Sequence, residues 1–200
     1  MARGIRLVHI STDFVFDGTL GRPYRPDDAP NPLGVYGATK LAGEQAVTTA
    51  DPSALIVRTA WVHGPTGANF VATMLRLMAE RERLGIVADQ IGTPTHADGL
   101  ADALWRLAAG DARGIVHHTD AGVASWYDFA VAIREEALAL GLLDRAAEVM
   151  PIATADYPTP ARRPGIAVLD KTSGWAAAGI APLHWRDGLR RALIQRKSMT

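Results

Sequence analysis

The sequence contains no cysteine. That excludes disulfides, a thiolate nucleophile and zinc–thiolate sites, and it fits a reducing compartment. Net charge is missing as well, because 21 basic residues meet 21 acidic ones. No overall field therefore draws nucleic acid or an anionic membrane surface, and an anionic ligand must be caught locally. Every apolar run is too short to cross a bilayer, and Met-Ala-Arg-Gly followed by a short apolar run is no signal peptide. The expectation is a cytoplasmic protein with neither nucleic acid nor membrane as partner. Internal repeats and low-complexity tracts are also lacking. What remains is 200 residues with 48% hydrophobic and 21% charged content, enough for one good core and a small appended lobe.

The apolar pattern alternates between short runs and periodic segments. Ile5 to Ile10 reads as a buried strand, followed by the polar Ser11-Thr12-Asp13 at its carboxyl end. In parallel sheets ligands bind beyond such ends. Phe14 to Pro32 is turn-rich and should form a surface loop. Asn31-Pro32 then resembles an N-cap with proline at the first helical position, for a helix to about Ala50. Leu55 to Val62 is a second strand, completing a strand–helix–strand unit. Further helices are expected from Asn69 to about Glu82, from Ala97 to Ala109 with Gly110 as the stop, from the Ser125–Asp128 capping box to about Leu140, and in two pieces after Lys171. Gly85 to Val87 and Ile115 to His118 read as strands. Neighbours on a strand face opposite ways, so His117 and His118 are not expected to share a metal ion, and no metal site is expected elsewhere.

Within the first helix, Tyr36 and Lys40 stand four residues apart and share a face. An ammonium beside a phenol favours the phenolate and brings its titration toward neutrality, which makes tyrosine a usable general acid. Such a pair is frequent by chance. Its meaning depends on what surrounds it.

What surrounds it is an ordered set: Ser11-Thr12-Asp13 after a strand, Tyr36-Gly37-Ala38-Thr39-Lys40 on the next helix, Arg58-Thr59-Ala60-Trp61-Val62 on the next strand, then Asp89 to Thr95, Gly114 to His118, Trp126 to Ala130, Arg163-Pro164 and Trp185 to Leu189. This set resembles the extended short-chain dehydrogenase/reductases, and most closely the dTDP-4-dehydrorhamnose reductase family. The resemblance implies an α/β fold: the C-terminal part of a Rossmann-like doubly wound parallel sheet, with a small α/β substrate-binding lobe. Residues 1–84 would hold the partial core and 85–200 mainly the lobe, with about 96–118 returning to the core. It implies reduction of the 4-keto group of a nucleotide-diphosphate deoxysugar by NADPH or NADH. Thr12, Tyr36 and Lys40 would be catalytic, Thr12 bonding the keto oxygen, Tyr36 donating the proton and Lys40 tuning it. Ser11, Tyr36 and Lys40 would contact the cofactor, and Asp13, Phe14, Trp61 and Arg163 the substrate, with Arg163 on the diphosphate. Phe14 stands where many relatives carry tyrosine, which removes one hydroxyl contact.

The family's Gly-x-Gly-x-x-Gly turn, with its acidic or basic residue after the second strand, does not occur in these 200 residues. The cofactor site is therefore expected to be incomplete in this chain. The strand at 5–10 is expected to have an open edge, inviting a complementing chain or a second copy. The alternative is a non-catalytic sugar-nucleotide-binding or interaction module that keeps the pocket without redox chemistry.

Overall fold

A computed structural model describes residues 5–199. Its centre is a three-stranded parallel sheet in the order β1 (Val8–Thr12), β2 (Leu55–Thr59), β7 (Gly114–His117). β1 begins three residues later than the apolar run suggests and continues two residues further. Its partner sets both limits: Val8 pairs with Leu55, where β2 starts, and Ser11 and Thr12 pair with Arg58 and Thr59. Among the described residues β1 pairs with β2 alone; the apolar Ile10 is exposed on it, and Ile5 and Leu7 are exposed just before it.

α1 (Val35–Ala50) crosses from β1 to β2. It starts after Gly34, not at Asn31-Pro32. Asn31 is engaged elsewhere: its backbone N–H donates to Val15 O and its Nδ2 to Asp17 Oδ2. Glu44 of α1 receives a two-pronged ion pair from Arg58 of β2, Nε to Oε1 at 2.9 Å and Nη2 to Oε2 at 2.7 Å, with both side chains at most 3% exposed. The Arg58 guanidinium also lies 5.0 Å from the Phe16 ring centroid. A buried pair of this kind adds little net stability but penalises any arrangement that separates its partners, so it fixes the register of α1 against the sheet.

The second strand is shorter than its apolar run. β2 ends at Thr59 because Trp61 takes a left-handed conformation, φ +46, which no strand can continue. Val62–His63 is instead a separate strand, β3. α2 (Phe70–Glu80) is capped by Asn69, whose side chain accepts from Ala72 N. β4 (Arg83–Val87), β5 (Ile91–Gly92), β6 (Thr95–His96) and α3 (Ala97–Ala109) follow, then β7, β8 (Ala124–Ser125) and α4 (Trp126–Ala139). β9 (Glu148–Ile152), unforeseen from the sequence, pairs in parallel with β4. Its Pro151 is tolerated because β9 has a neighbour on one side only. α5 (Thr172–Ala178) and α6 (Trp185–Lys197) complete the chain.

Two cores result. Leu55, Val57, Leu107 and Val116 pack between the sheet, α3 and α5. A larger cluster joins α2, α4, α6 and β4 around Phe129, Ile133, Leu189 and Leu193. α2 lies within the stretch assigned to the first core from sequence, yet packs on α4 because Val71, Met74, Leu75 and Met78 form one buried stripe facing it. Among the described residues no helix is long and apolar enough to cross a membrane.

Candidate active site

The carboxyl end of β1 meets the first two turns of α1. Lys40 Nζ donates to Ile10 O at 2.6 Å. Gly37 lies against the chain after β1 so closely that a Cβ there would stand 2.1 Å from Phe14 O. Tyr36 meets the Phe14 ring edge-on, with centroids 5.7 Å apart. These contacts hold Tyr36 and Lys40 beside the Ser11–Phe14 segment. Tyr36 stays 57% exposed.

The strand end itself is buried and polar. Thr12 Oγ1 donates to Asp13 Oδ1 at 3.0 Å and accepts from Phe14 N at 3.3 Å. Asp13 Oδ2 and Ser11 Oγ are buried without a hydrogen-bond partner. Burial pushes the Asp13 carboxyl up to about 7, against the opposing pull of the Thr12 bond. Unpartnered buried polar atoms are costly, and their grouping at one strand end marks a place where a ligand would complete the bonding.

Asp13 and Phe14 also line a narrow cleft with Trp61, Gln90, Trp126 and Arg163. All four residues that the sequence suggested for substrate thus lie along one cleft. Trp61 reaches it through its left-handed backbone, the one positive φ outside glycine among the described residues. Such strain persists where surrounding contacts over-determine it. Here the indole stacks on Trp126 at 3.5 Å and 7°, and it covers Gly92, where a Cβ would stand 2.6 Å from the ring. Trp126 and Gln90 were not singled out from sequence as site residues. Each belongs to a segment remote from the Thr12–Lys40 stretch, and no local spacing ties them to it.

Gln90, Trp126 and Arg163 border a second cleft of about 350 Å³. Phe70, Leu77 and Val87 give this cleft apolar walls, and Arg81, Arg83 and Arg163 give it three cations. An apolar slot rimmed by guanidinium groups suits an aromatic base joined to an anion.

The sequence matches the RmlD substrate binding domain over residues 1–198. The chain belongs to that family. It is 45% identical over 190 residues to a dTDP-4-dehydrorhamnose reductase of Aggregatibacter actinomycetemcomitans, covering 92% of this chain and 65% of that protein. Against the enzyme of the same name from Mycobacterium tuberculosis it is 47% identical over 197 residues, covering 95% and 63%. The crystal structure of dTDP-4-dehydrorhamnose reductase from Bacillus anthracis, a complex with NADP, superposes with a TM-score of 0.87 at 36% identity, over 96% of this chain and 66% of that one. The ortholog from Clostridium acetobutylicum gives 0.88 at 37% identity. This RmlD-family chain thus has the α/β, parallel-sheet fold expected from its sequence, and it spans less than two thirds of the length of the two curated relatives.

Proposed function

We propose that this chain supplies the sugar-binding and proton-delivering part of an NAD(P)H-dependent 4-keto reductase acting on a nucleotide-diphosphate deoxysugar, of the dTDP-4-dehydrorhamnose reductase kind. The observation that carries the reading is that α1 brings Tyr36 against Phe14 and Lys40 against Ile10, on either side of the β1 end that carries Thr12, beside a cleft bearing Asp13, Trp61 and Arg163. In this reading the base enters the 350 Å³ cleft, Arg163 takes the diphosphate and the sugar lies between Trp61 and the strand end. Tyr36 delivers the proton to the 4-oxygen, and Thr12 shares the charge that develops there. The names of the curated relatives support this assignment.

The residues present fit the nicotinamide-ribose end of the cofactor. Ser11 Oγ is a buried hydroxyl without a partner, and the α1 residues Lys40 and Tyr36 contact Ile10 and Phe14, which bracket it in the chain. A bound reduced nicotinamide would supply the hydride; NADPH and NADH fit these residues equally. The open edge of β1, with Ile5, Leu7 and Ile10 exposed, is where a complementing chain or a second copy would pair. A cytoplasmic site of action fits a cysteine-free chain using an activated sugar.

Free space between Asp13, Trp61 and Trp126 is only about 10 Å³, so a sugar ring must displace the stacked indoles to enter. Titration with a dTDP-4-keto-6-deoxysugar should therefore give a saturable change in tryptophan fluorescence, and adding NADPH should then lower the absorbance of reduced nicotinamide. Absence of sugar-nucleotide binding would overturn the reading. Binding without oxidation would leave the non-catalytic module.

A further inference from the structure

A hydroxyl has one proton to give and two lone pairs to fill. In this structure Thr12 gives its proton to Asp13 Oδ1 and receives the Phe14 N–H. So arranged, it has nothing to offer a ketone oxygen, which can only accept. Reversing the Thr12–Asp13 bond changes that. With Asp13 as donor, both lone pairs of Thr12 Oγ1 are taken, by Asp13 and by Phe14 N–H, and the one Thr12 proton is left free for a ligand.

We propose that Asp13 is a positioning residue that sets the direction of the Thr12 hydroxyl: the neutral acid donates to Thr12 and frees its proton for a ligand's keto oxygen, whereas the carboxylate holds that proton back. Reversing the bond from the carboxylate form takes up one proton at Asp13; the neutral acid then keeps that proton through the reaction, so none is consumed over the turnover. This inference rests on the reading of the cleft as a keto-sugar site.

The surroundings suit the role. Asp13 is 2% exposed, its Oδ2 has no partner, and burial places its titration at about 7. The titratable or charged groups on the elements around it are His9 of β1, Tyr36, Lys40 and Glu44 of α1, Arg58 of β2, which is paired with Glu44, and Arg163 across the cleft. None of them is hydrogen-bonded to the carboxyl; its partner is the Thr12 hydroxyl alone among side chains. Gln90, Trp61 and Trp126, which complete the lining, are uncharged.

The sign follows. Neutral Asp13 predominates below about pH 7, so affinity for a keto ligand should fall as pH rises, while a 4-hydroxy ligand, which can donate to Thr12, should not follow that trend. The test is calorimetry on the full chain without nicotinamide, comparing a dTDP-4-keto-6-deoxysugar with its 4-hydroxy counterpart between about pH 6 and about pH 8. The wild-type preference for the keto ligand should drop up to about tenfold, the worth of one hydrogen bond. Asp13→Asn, whose amide can donate but never ionise, should keep the acid-side preference across the range. Thr12→Val should lose both the preference and its pH dependence. A wild-type preference that does not change with pH, or the same dependence persisting in Asp13→Asn, would overturn the proposal and leave the sugar site standing; failure of either sugar nucleotide to bind at any pH would overturn both. A ligand-free check is infrared titration. A protonated-carboxyl band should vanish near neutral pH and be missing in Asp13→Asn, while the one from Asp120, which burial raises to about 6, remains in both. If Asp13→Asn removes no band, the proposal fails.

Discussion

The lobe interior and the rim of β1 and α1 are built on opposite terms. Around Phe129 every direction is filled: Trp61, His63, Phe70 and Trp185 all lie within 6.4 Å between ring centroids, and the side chain has no exposed surface. At the rim, Val35 is 82% exposed and Tyr36 57%, and the buried Ser11 Oγ and Asp13 Oδ2 lack partners. Stability is concentrated where packing is complete. Unmet hydrogen-bonding capacity is concentrated where it is not, and one residue joins the two: Trp61 packs on Phe129 from one side and borders the Asp13 cleft on the other.

The largest effect expected from breaking this contrast is in the lobe. Phe129→Ala should cost about 3–5 kcal/mol, the usual cost of emptying a fully enclosed aromatic site, measured by denaturant unfolding. Because Phe129 backs Trp61, the fluorescence of the Trp61–Trp126 stack should change as well. A cost below about 1 kcal/mol would mean that the lobe is far less tightly packed than its ring contacts imply.

At the rim the balance reverses. Tyr36→Phe removes one hydroxyl from an exposed side chain, so stability should move by no more than about 0.5 kcal/mol. Reductase turnover should fall about 100-fold or more, the usual contribution of a positioned proton donor. Loss of stability with turnover intact would show Tyr36 to be a packing residue and reverse the comparison.

How far the sequence reveals these two regions follows from how local their signals are. Thr12, Tyr36 and Lys40 sit within one strand–helix unit, and their spacing shows which of them share a face. The α4 start was equally legible, since Ser125 and Asp128 form the reciprocal cap that their spacing suggests. The α1 start was misread because Asn31-Pro32 carries the right letters but is bonded to Asp17 and Val15. β9 was missed because Pro151 argues against a strand until its free edge is known. Trp126 and Gln90 join the cleft only through tertiary folding. The left-handed Trp61 was hidden for a further reason: an apolar β-branched run continues through Val62 and conceals the break.

The smallest expected effect is in how stability responds to acid. Burial holds His63, His117 and His118 down at about 4, against about 6.5 in an unfolded chain. As pH falls from about 6.5 toward 4, the unfolded chain takes up protons that these folded imidazoles refuse, so each withdraws stability, on the order of 3 kcal/mol if its full shift is realised. Asp13 and Asp120 act in the opposite sense. Burial raises them to about 7 and about 6, so in the same window the folded chain keeps protons that the unfolded chain releases, and their contribution grows as pH falls. Three groups against two leave a net loss on acidification, smaller than the histidines alone would give. Asp13→Asn removes one of the two opposing groups, so its melting temperature should fall more steeply between pH 7 and pH 5 than that of the wild type. A fall no steeper than that of the wild type would mean that the Asp13 carboxyl stays ionised in the folded chain down to about pH 5, and that the strand end is wetter than its burial implies.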